Sequence, residues 1–155
     1  PMTATTTMTK SKIKITSRPY GEIEVDETQC VKFEDGLIGL PALTNFYLLD
    51  STDGPFYWLQ SADEPSVAFV VVRPADFFPD YARDVAEEDV EAIGSEMAND
   101  LVTLLILTIP ENPREMTANL MGPGLLNRKT RAARQAISRN ADHKTKQNVF
   151  AAKAA

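Results

Sequence analysis

The chain has 155 residues, of which 43% are apolar and 25% charged, which is enough apolar material for one folded domain. A net charge of −6 and an isoelectric point near 4.8 weigh against a protein that binds nucleic acid through its overall charge. The longest apolar runs, residues 67–72 and 101–109, are far shorter than the roughly 20 residues of a membrane-spanning helix.

The amino-terminal segment and the cysteine content indicate the compartment. Residues 1–11 are rich in threonine and lack the apolar segment of a secretory signal, so we expect a disordered tail there. Cys30 is the only cysteine and cannot form an internal disulfide. A reducing, cytoplasmic compartment without a membrane partner is the simplest interpretation.

Short apolar segments bounded by turn residues predict β-strands along the chain. Some alternate with a period of two and predict half-buried strands, whereas residues 67–72 and 101–109 are continuous and predict buried ones. The predicted strands are residues 13–16, 22–25, 30–33, 46–49, 56–59, 67–72, 101–109 and 116–121. Turn signals at Asp53-Gly54-Pro55 and Gly122-Pro123-Gly124 separate some of them.

Two segments are ambiguous. In residues 86–97, Val90, Ile93 and Met97 are spaced for a short helix that Gly94 weakens. Residues 131–138 favour a helix by composition, but a strand by their place in a mostly β chain. Six to nine short strands predict a mainly antiparallel all-β fold, barrel-like or a sandwich, with short helical turns. We expect one domain at residues 12–140 and a flexible basic tail at residues 141–155.

No residue pattern predicts catalysis, a cofactor or a metal site. His143 stands alone in the basic tail, and Cys30 sits in an alternating strand with no base indicated nearby. The glycines do not have the spacing of a phosphate-binding loop. Because acidic residues are plentiful, a small carboxylate-based hydrolase or a sugar-binding β-barrel stays an alternative.

A basic run in the carboxy-terminal part raises the question of RNA. Arg128, Lys129 and Arg131 lie close together, but no aromatic residues are interleaved to stack on bases. A solvated basic end of the fold is therefore favoured, and an RNA-binding barrel stays a third interpretation. We expect no direct contact with nucleic acid.

Charge and aromatic residues point to a protein partner. Residues 19–115 hold 21 acidic and four basic residues, a net charge of −17, whereas residues 116–155 carry +7. This is either a solvated acidic face or a surface that attracts a basic protein. Residues 77–81 form an aromatic loop that either caps the core or presents a partner surface.

The order and spacing of several motifs resemble the flagellar assembly factor FliW family. The motifs are Leu59-Gln60-Ser61, Phe78-Pro79-Asp80-Tyr81 and Asn119-Leu120-Met121-Gly122-Pro123, within a resemblance that runs over residues 12–137. Residues 140–155 do not follow the closing segment of that family. For the ambiguous residues 131–137, the resemblance implies a strand.

The resemblance implies a small, non-enzymatic, barrel-like cytoplasmic protein that switches between two partners. These partners are flagellin and the RNA-binding translational regulator CsrA, which the factor antagonises when secretion has removed flagellin. We expect three groups of residues at the partner surface. They are the apolar anchors Phe77, Phe78 and Tyr81, the acidic residues Asp80, Asp84, Glu87 and Glu88 that steer a basic partner, and the groove residues Asn119, Leu120 and Pro123.

Overall fold

The computed structural model describes residues 12–52, 54–94 and 100–150. In those ranges the strands are β1 (Lys12–Ser17), β2 (Gly21–Asp26), β3 (Cys30–Phe33), β4 (Asn45–Asp50), β5 (Tyr57–Ser61), β6 (Ala68–Val72), β7 (Leu101–Thr108), β8 (Thr117–Ala118), β9 (Gly124–Asn127), β10 (Ala132–Gln135) and β11 (Gln147–Asn148). The helices are α1 (Pro74–Phe77) and α2 (Glu87–Ala92). The predicted all-β class with short helical turns is confirmed.

Seven strands close into a barrel in the order β3, β4, β5, β6, β7, β9 and β10. Neighbouring strands are antiparallel except β10 and β3, which are parallel and complete the ring. Strands β8 and β11 extend from the second half of β7, outside the ring. A closed ring leaves few unpaired strand edges, which is how barrels avoid edge-to-edge association.

The barrel interior is filled by side chains. Phe46 is fully buried and meets Phe33 edge to face, with ring centroids 5.4 Å apart, a geometry that adds about 1 kcal/mol to the apolar burial. The void that remains among Val31, Leu59 and their neighbours measures about 10 Å³. That volume holds at most one water molecule, so the interior does not hold the sugar or substrate that the alternative hydrolase or sugar-binding barrel requires.

The β1–β2 hairpin covers one outer face of the barrel. Successive residues of a strand point to opposite faces, so Phe46 belongs to the interior while Tyr47 and Leu49 form a second apolar layer. Ile15 and Val25 of the hairpin pack against that layer. In the hairpin, the apolar residues of the alternating pattern are therefore the ones that pack against the barrel.

Several predicted boundaries change in the structure. Of the predicted strand at residues 116–121, only Thr117–Ala118 form a strand, β8. Strand β9 begins inside the run Gly122-Pro123-Gly124, and because that run is typical of a turn, the sequence does not predict a strand there. Within residues 131–138, Ala132–Gln135 form β10, as the β context and the family resemblance indicated. The predicted helix is α2, which ends before Gly94 at a positive φ of 70°. Asp53 and Met97 lie outside the described residues.

The expected flexible tail at residues 141–155 needs correction for its first ten residues. Strand β11 pairs with β8, and Val149 is fully buried among the side chains that surround Phe77. The sequence does not indicate this contact, because the residues just before Val149 are polar. Residues 147–149 therefore pack against the fold rather than forming part of a flexible tail. Residues 1–11 and 151–155 lie outside the described residues.

A tight turn between β3 and β4 depends on two glycines. Gly36 and Gly39 have φ values of 68° and 86°, a region that other residues adopt only with strain. A Cβ on Gly36 would lie 2.5 Å from the backbone oxygen of Pro41, whereas a Cβ on Gly39 would meet nothing within 4 Å. Gly36 therefore has a steric requirement that Gly39 lacks.

We expect Gly36→Ala to lower the free energy of unfolding by about 3 kcal/mol or more, since strain and overpacking add. Gly39→Ala, which introduces only the strain, is expected to cost about 1 kcal/mol. Urea unfolding of both variants measures the difference. Equal losses would mean that the loop moves to accommodate the Gly36 methyl group.

Candidate partner-binding surface

The aromatic loop begins with a single helical turn after β6. Pro74 takes the first helical position, for which its fixed φ is suited. Phe78 N–H donates to the carbonyl of Pro74 at 2.6 Å, and Pro79 cannot continue the helix because it has no N–H. Tyr81 N–H then donates to the carbonyl of Phe78 at 2.9 Å. Residues 78–81 are thereby held as a tight turn, which we name the aromatic turn.

Phe77 and Phe78 belong mostly to the core. Each side chain is 7% exposed, and Phe77 lies 5.5 Å from Phe56 between ring centroids. Both phenylalanines are therefore largely buried, and their role as apolar anchors stays a prediction. Tyr81 is half-buried, and its hydroxyl donates to the carbonyl of Leu120 at 3.4 Å. Burial raises the pKa of the Tyr81 phenol above its ordinary value near 10.

Two open clefts flank the aromatic turn. The first, of about 380 Å³, lies between α1 and the start of β7; its charged residues are Arg73 and Arg83, and Arg83 donates to the Thr103 hydroxyl at 3.0 Å. The second, of about 250 Å³, is walled by Asp80, His143 and neighbouring apolar residues. Phe78 and Tyr81 line both clefts. The turn thus forms a ridge between two shallow grooves.

His143 supports this ridge from below, contrary to its predicted place in a solvated tail. Its imidazole is 7% exposed and stacks on Tyr81 with ring centroids 4.6 Å apart. Its Nδ1 lies 2.6 Å from the hydroxyl oxygen of Ser138. The amide of Asn140 lies 3.4 Å from Nε2. The sequence signal that could have located this contact is Asn140, which begins a turn that brings His143 back toward the barrel.

The predicted groove residues have mainly a structural role. The Asn119 side chain accepts the N–H groups of Met121 and Gly122 at 3.0 and 2.9 Å and fixes the turn before β9. Leu120 is buried and forms part of the second cleft. Pro123 is fully buried. Of the three, only Leu120 contributes to a groove beside the aromatic turn.

The acidic residues predicted to steer a partner divide into two sets. Asp84 is paired with Arg139 at 3.0 Å and is therefore partly neutralised within the chain. Asp80, Glu87 and Glu88 are exposed, and within the described ranges none of them has a basic side chain in ion-pair distance. Together with Glu91 of α2, which is also exposed and, among the described residues, outside ion-pair distance of a basic side chain, these three carry free negative charge near the aromatic turn and along α2.

The basic run does not form one continuous face. Lys129 lies 3.8 Å from Asp100, and Arg131 is half-buried at a positive φ of 68°. Burial lowers the pKa of the Arg131 guanidinium from its ordinary value. Arg128 is exposed. This arrangement gives no support to the RNA-binding interpretation, which needs several free cations side by side.

The described residues also bear on metals, membranes and reactive thiols. They contain no group of three or more histidine, cysteine or acidic side chains arranged to hold a metal ion. No helix among them is long and apolar enough to span a membrane. Burial raises the pKa of the Cys30 thiol, which favours its protonated form and a packing role.

Comparison with known proteins identifies close relatives of the whole fold. The family model for FliW protein matches residues 14–149. A flagellar assembly factor FliW from Leptospira biflexa is 39% identical over 140 residues, covering 89% of this chain and 92% of the relative. One from Treponema denticola is 34% identical over 139 residues, covering 90% and 95%. A crystal structure of the flagellar assembly factor FliW superposes with a TM-score of 0.82 at 33% identity, over 88% of this chain and 96% of that one.

We expect the Tyr81–His143 stack to couple the two residues energetically. In a double-mutant cycle of Tyr81→Ala and His143→Ala, the coupling should be about 1 kcal/mol, since stacked rings stabilise each other beyond their separate burial. Urea unfolding of the four proteins gives this value. As a control, Tyr20→Ala on the hairpin side should be additive with His143→Ala, because Tyr20 bonds to the carbonyl of Asp50 instead. Additivity in both cycles would contradict the stack.

Proposed function

Since the chain belongs to the FliW family of flagellar assembly factors, we propose that it is a cytoplasmic, non-enzymatic protein that binds flagellin. Once freed of flagellin, the protein binds a CsrA-type translational regulator and relieves the repression of flagellin synthesis. The match of residues 14–149 to the family is the observation that carries this proposal. The solved relative of the same fold supports it.

The location of accessible space supports a protein partner. The barrel interior leaves about 10 Å³, whereas the two clefts beside the aromatic turn are open and shallow, with about 380 and 250 Å³. Small-molecule sites are usually enclosed cavities of several hundred cubic ångströms. A ridge between two grooves, with Tyr81 half-exposed on it, suits an apolar segment of a protein.

The free acidic residues support an electrostatic role toward the regulator. A protein that binds RNA is expected to carry basic surface, and Asp80, Glu87 and Glu88 present unpaired negative charge near the ridge. Opposite charges on two partners raise the rate of encounter more than they raise the final affinity. We therefore assign these three residues to steering and the aromatic turn to contact.

Titration calorimetry tests the proposal directly. We expect the purified protein to bind flagellin and, separately, the CsrA-type regulator of the same organism. Adding flagellin to the complex with the regulator should displace the regulator. A protein that binds neither would contradict the proposed function, and binding of both without displacement would contradict the partner switch.

Neutralising the steering residues should slow association with the regulator. The triple variant Asp80→Asn, Glu87→Gln, Glu88→Gln is expected to lower the association rate constant about threefold to tenfold at low salt, with a smaller effect at high salt where charges are screened. Stopped-flow fluorescence or surface plasmon resonance measures this rate.

A matched control is the triple variant Glu22→Gln, Glu24→Gln, Glu27→Gln. It changes the net charge by the same amount at exposed positions on β2 and the turn that follows. The association rate of the control should change much less. If both triple variants slow association equally, only the total charge matters and the assignment to these three residues fails.

A further inference from the structure

Strand β10 loses its neighbour on one side partway along its length. β3 pairs with β10 only at Ala132 and Ala133. After Phe33 the chain turns away, and Gly36 N–H donates back to the carbonyl of Phe33 at 2.9 Å. From residue 134 onward, no strand among the described residues lies beside β10 on this side.

The backbone groups on that side are accessible for pairing. On the β9 side, the N–H groups of Ala136 and Ser138 donate to carbonyls at 2.9 and 2.7 Å. Because antiparallel ladders use alternate residues, Gln135 and Ile137 direct their N–H and C=O groups to the opposite side. Within the described part of the chain, the Ile137 N–H and C=O have no hydrogen-bond partner.

The open edge has defined ends. Ala133 is its last residue paired with β3. At the other end, Arg139 N–H donates to the carbonyl of Asp84 at 2.7 Å. Residues 135–137 between them offer up to four backbone groups, enough to pair with a short strand of three to five residues.

A cleft of about 540 Å³ lies against this edge. Its opposite wall is the turn that contains Ile38 and Gly39, tied to β10 by a 2.9 Å bond from Ile38 N–H to the side-chain oxygen of Gln135. Ile38 and Ile137 are 57% and 61% exposed, and Leu40 beside them is 39% exposed. Exposed β-branched side chains next to unpaired backbone are features of a surface that accepts an added strand.

The charges around the cleft select the kind of segment. Asp35 and Asp89 both contact Arg134, and the Asp35 side chain is 75% exposed. Glu34 is exposed next to Asp35. Three carboxylates and one guanidinium leave the rim negative, so a segment with lysine or arginine side chains complements it.

We propose that the edge of β10 at residues 135–137 binds an extended segment of another protein, with alternating basic and apolar residues, as an added β-strand. The backbone groups of Gln135 and Ile137 pair with the segment, and Ile38 and Ile137 contact its apolar side chains. The acidic rim receives its basic side chains. This surface is distinct from the aromatic turn, so it adds a second contact to the proposed function.

The test uses the full chain labelled with 15N and the synthetic peptide KVKVK, acetylated and amidated. In NMR titrations, we expect the amide resonances of Ile38, Gly39 and residues 135–137 to shift most. The acidic analogue EVEVE should bind at least tenfold more weakly, because the rim is negative. The largest shifts at the aromatic turn, or no shifts at millimolar KVKVK, would overturn the proposal.

Two variants separate backbone pairing from side-chain contact. Ile137→Pro removes the N–H that the fold does not use, and should weaken KVKVK binding at least tenfold, whereas Ile137→Ala keeps the N–H and should weaken it about threefold. Thermal unfolding shows whether Ile137→Pro folds. If it does not fold, Ile38→Lys is the test, because a lysine at this exposed position repels the basic KVKVK peptide and should weaken its binding.

Two further outcomes would overturn the proposal. Unchanged affinity in Ile137→Pro, or in Ile38→Lys where the former does not fold, would overturn the proposal. Self-association of the free chain that Ile137→Pro abolishes would identify a second copy as the occupant and would overturn the assignment to another protein. Because the probe is a synthetic peptide, none of these results depends on flagellin or on the regulator.

Discussion

Strand β7 is the element on which the rest of the architecture depends, because two strands, β9 and β8, pair with different parts of the same edge of it. Residues 101–104 pair with β9 and close the barrel, while Leu107 and Thr108 pair with β8 outside it. This division lets the chain leave the ring after β7 to form β8, return as β9 and β10, and leave again to form β11. The layer built in this way encloses Phe77, Phe78 and Val149, and the aromatic turn and both its clefts lie on that layer.

Part of the uneven charge of the chain is paired inside the molecule. After the aromatic turn, the acidic segment that includes α2 runs over β9 and β10, with Ile93 packed beside Leu125 and Ala136. Arginines from the basic carboxy-terminal part bind its carboxylates: Arg139 holds Asp84 and Arg134 holds Asp89. Exposed pairs of this kind contribute little stability individually, but together with the apolar contacts they fix where the segment lies. Five acidic residues, Asp35, Asp76, Asp84, Asp89 and Asp100, form ion pairs, whereas most of the other acidic residues in the described ranges have no basic side chain in ion-pair distance.

Local pattern predicted the strands that alternate or form continuous apolar runs, and distant contacts decided the others. The alternation at residues 30–33 predicted β3, because one face meets the interior and the other meets the hairpin or solvent. The apolar residues 46–49 predicted β4, whose two faces meet the interior and the hairpin. Strand β9 is all buried, short and preceded by turn residues, so its pattern carries no period. The places of His143 and Val149 follow from pairing with segments about 30 to 60 positions away, which composition does not encode. For the candidate surface, the motif at residues 78–81 located the ridge, but burial of Phe77 and Pro123 could be learned only from packing.

The parallel pairing of β3 with β10 sets an order of events during synthesis on the ribosome. Lys32 N–H bonds to the carbonyl of Arg131, and Arg134 reaches Asp35, contacts that join parts of the chain about a hundred positions apart. The strands β3 to β6 are made early and can pair with each other, but the ring stays open until residues 124–135 have left the exit tunnel. Contacts so distant in sequence form slowly, and meanwhile the nascent chain exposes an unpaired edge on β3 and the apolar interior behind it. The nascent chain is therefore most exposed to association with other chains just before residues 124–135 pair with β3 and β7.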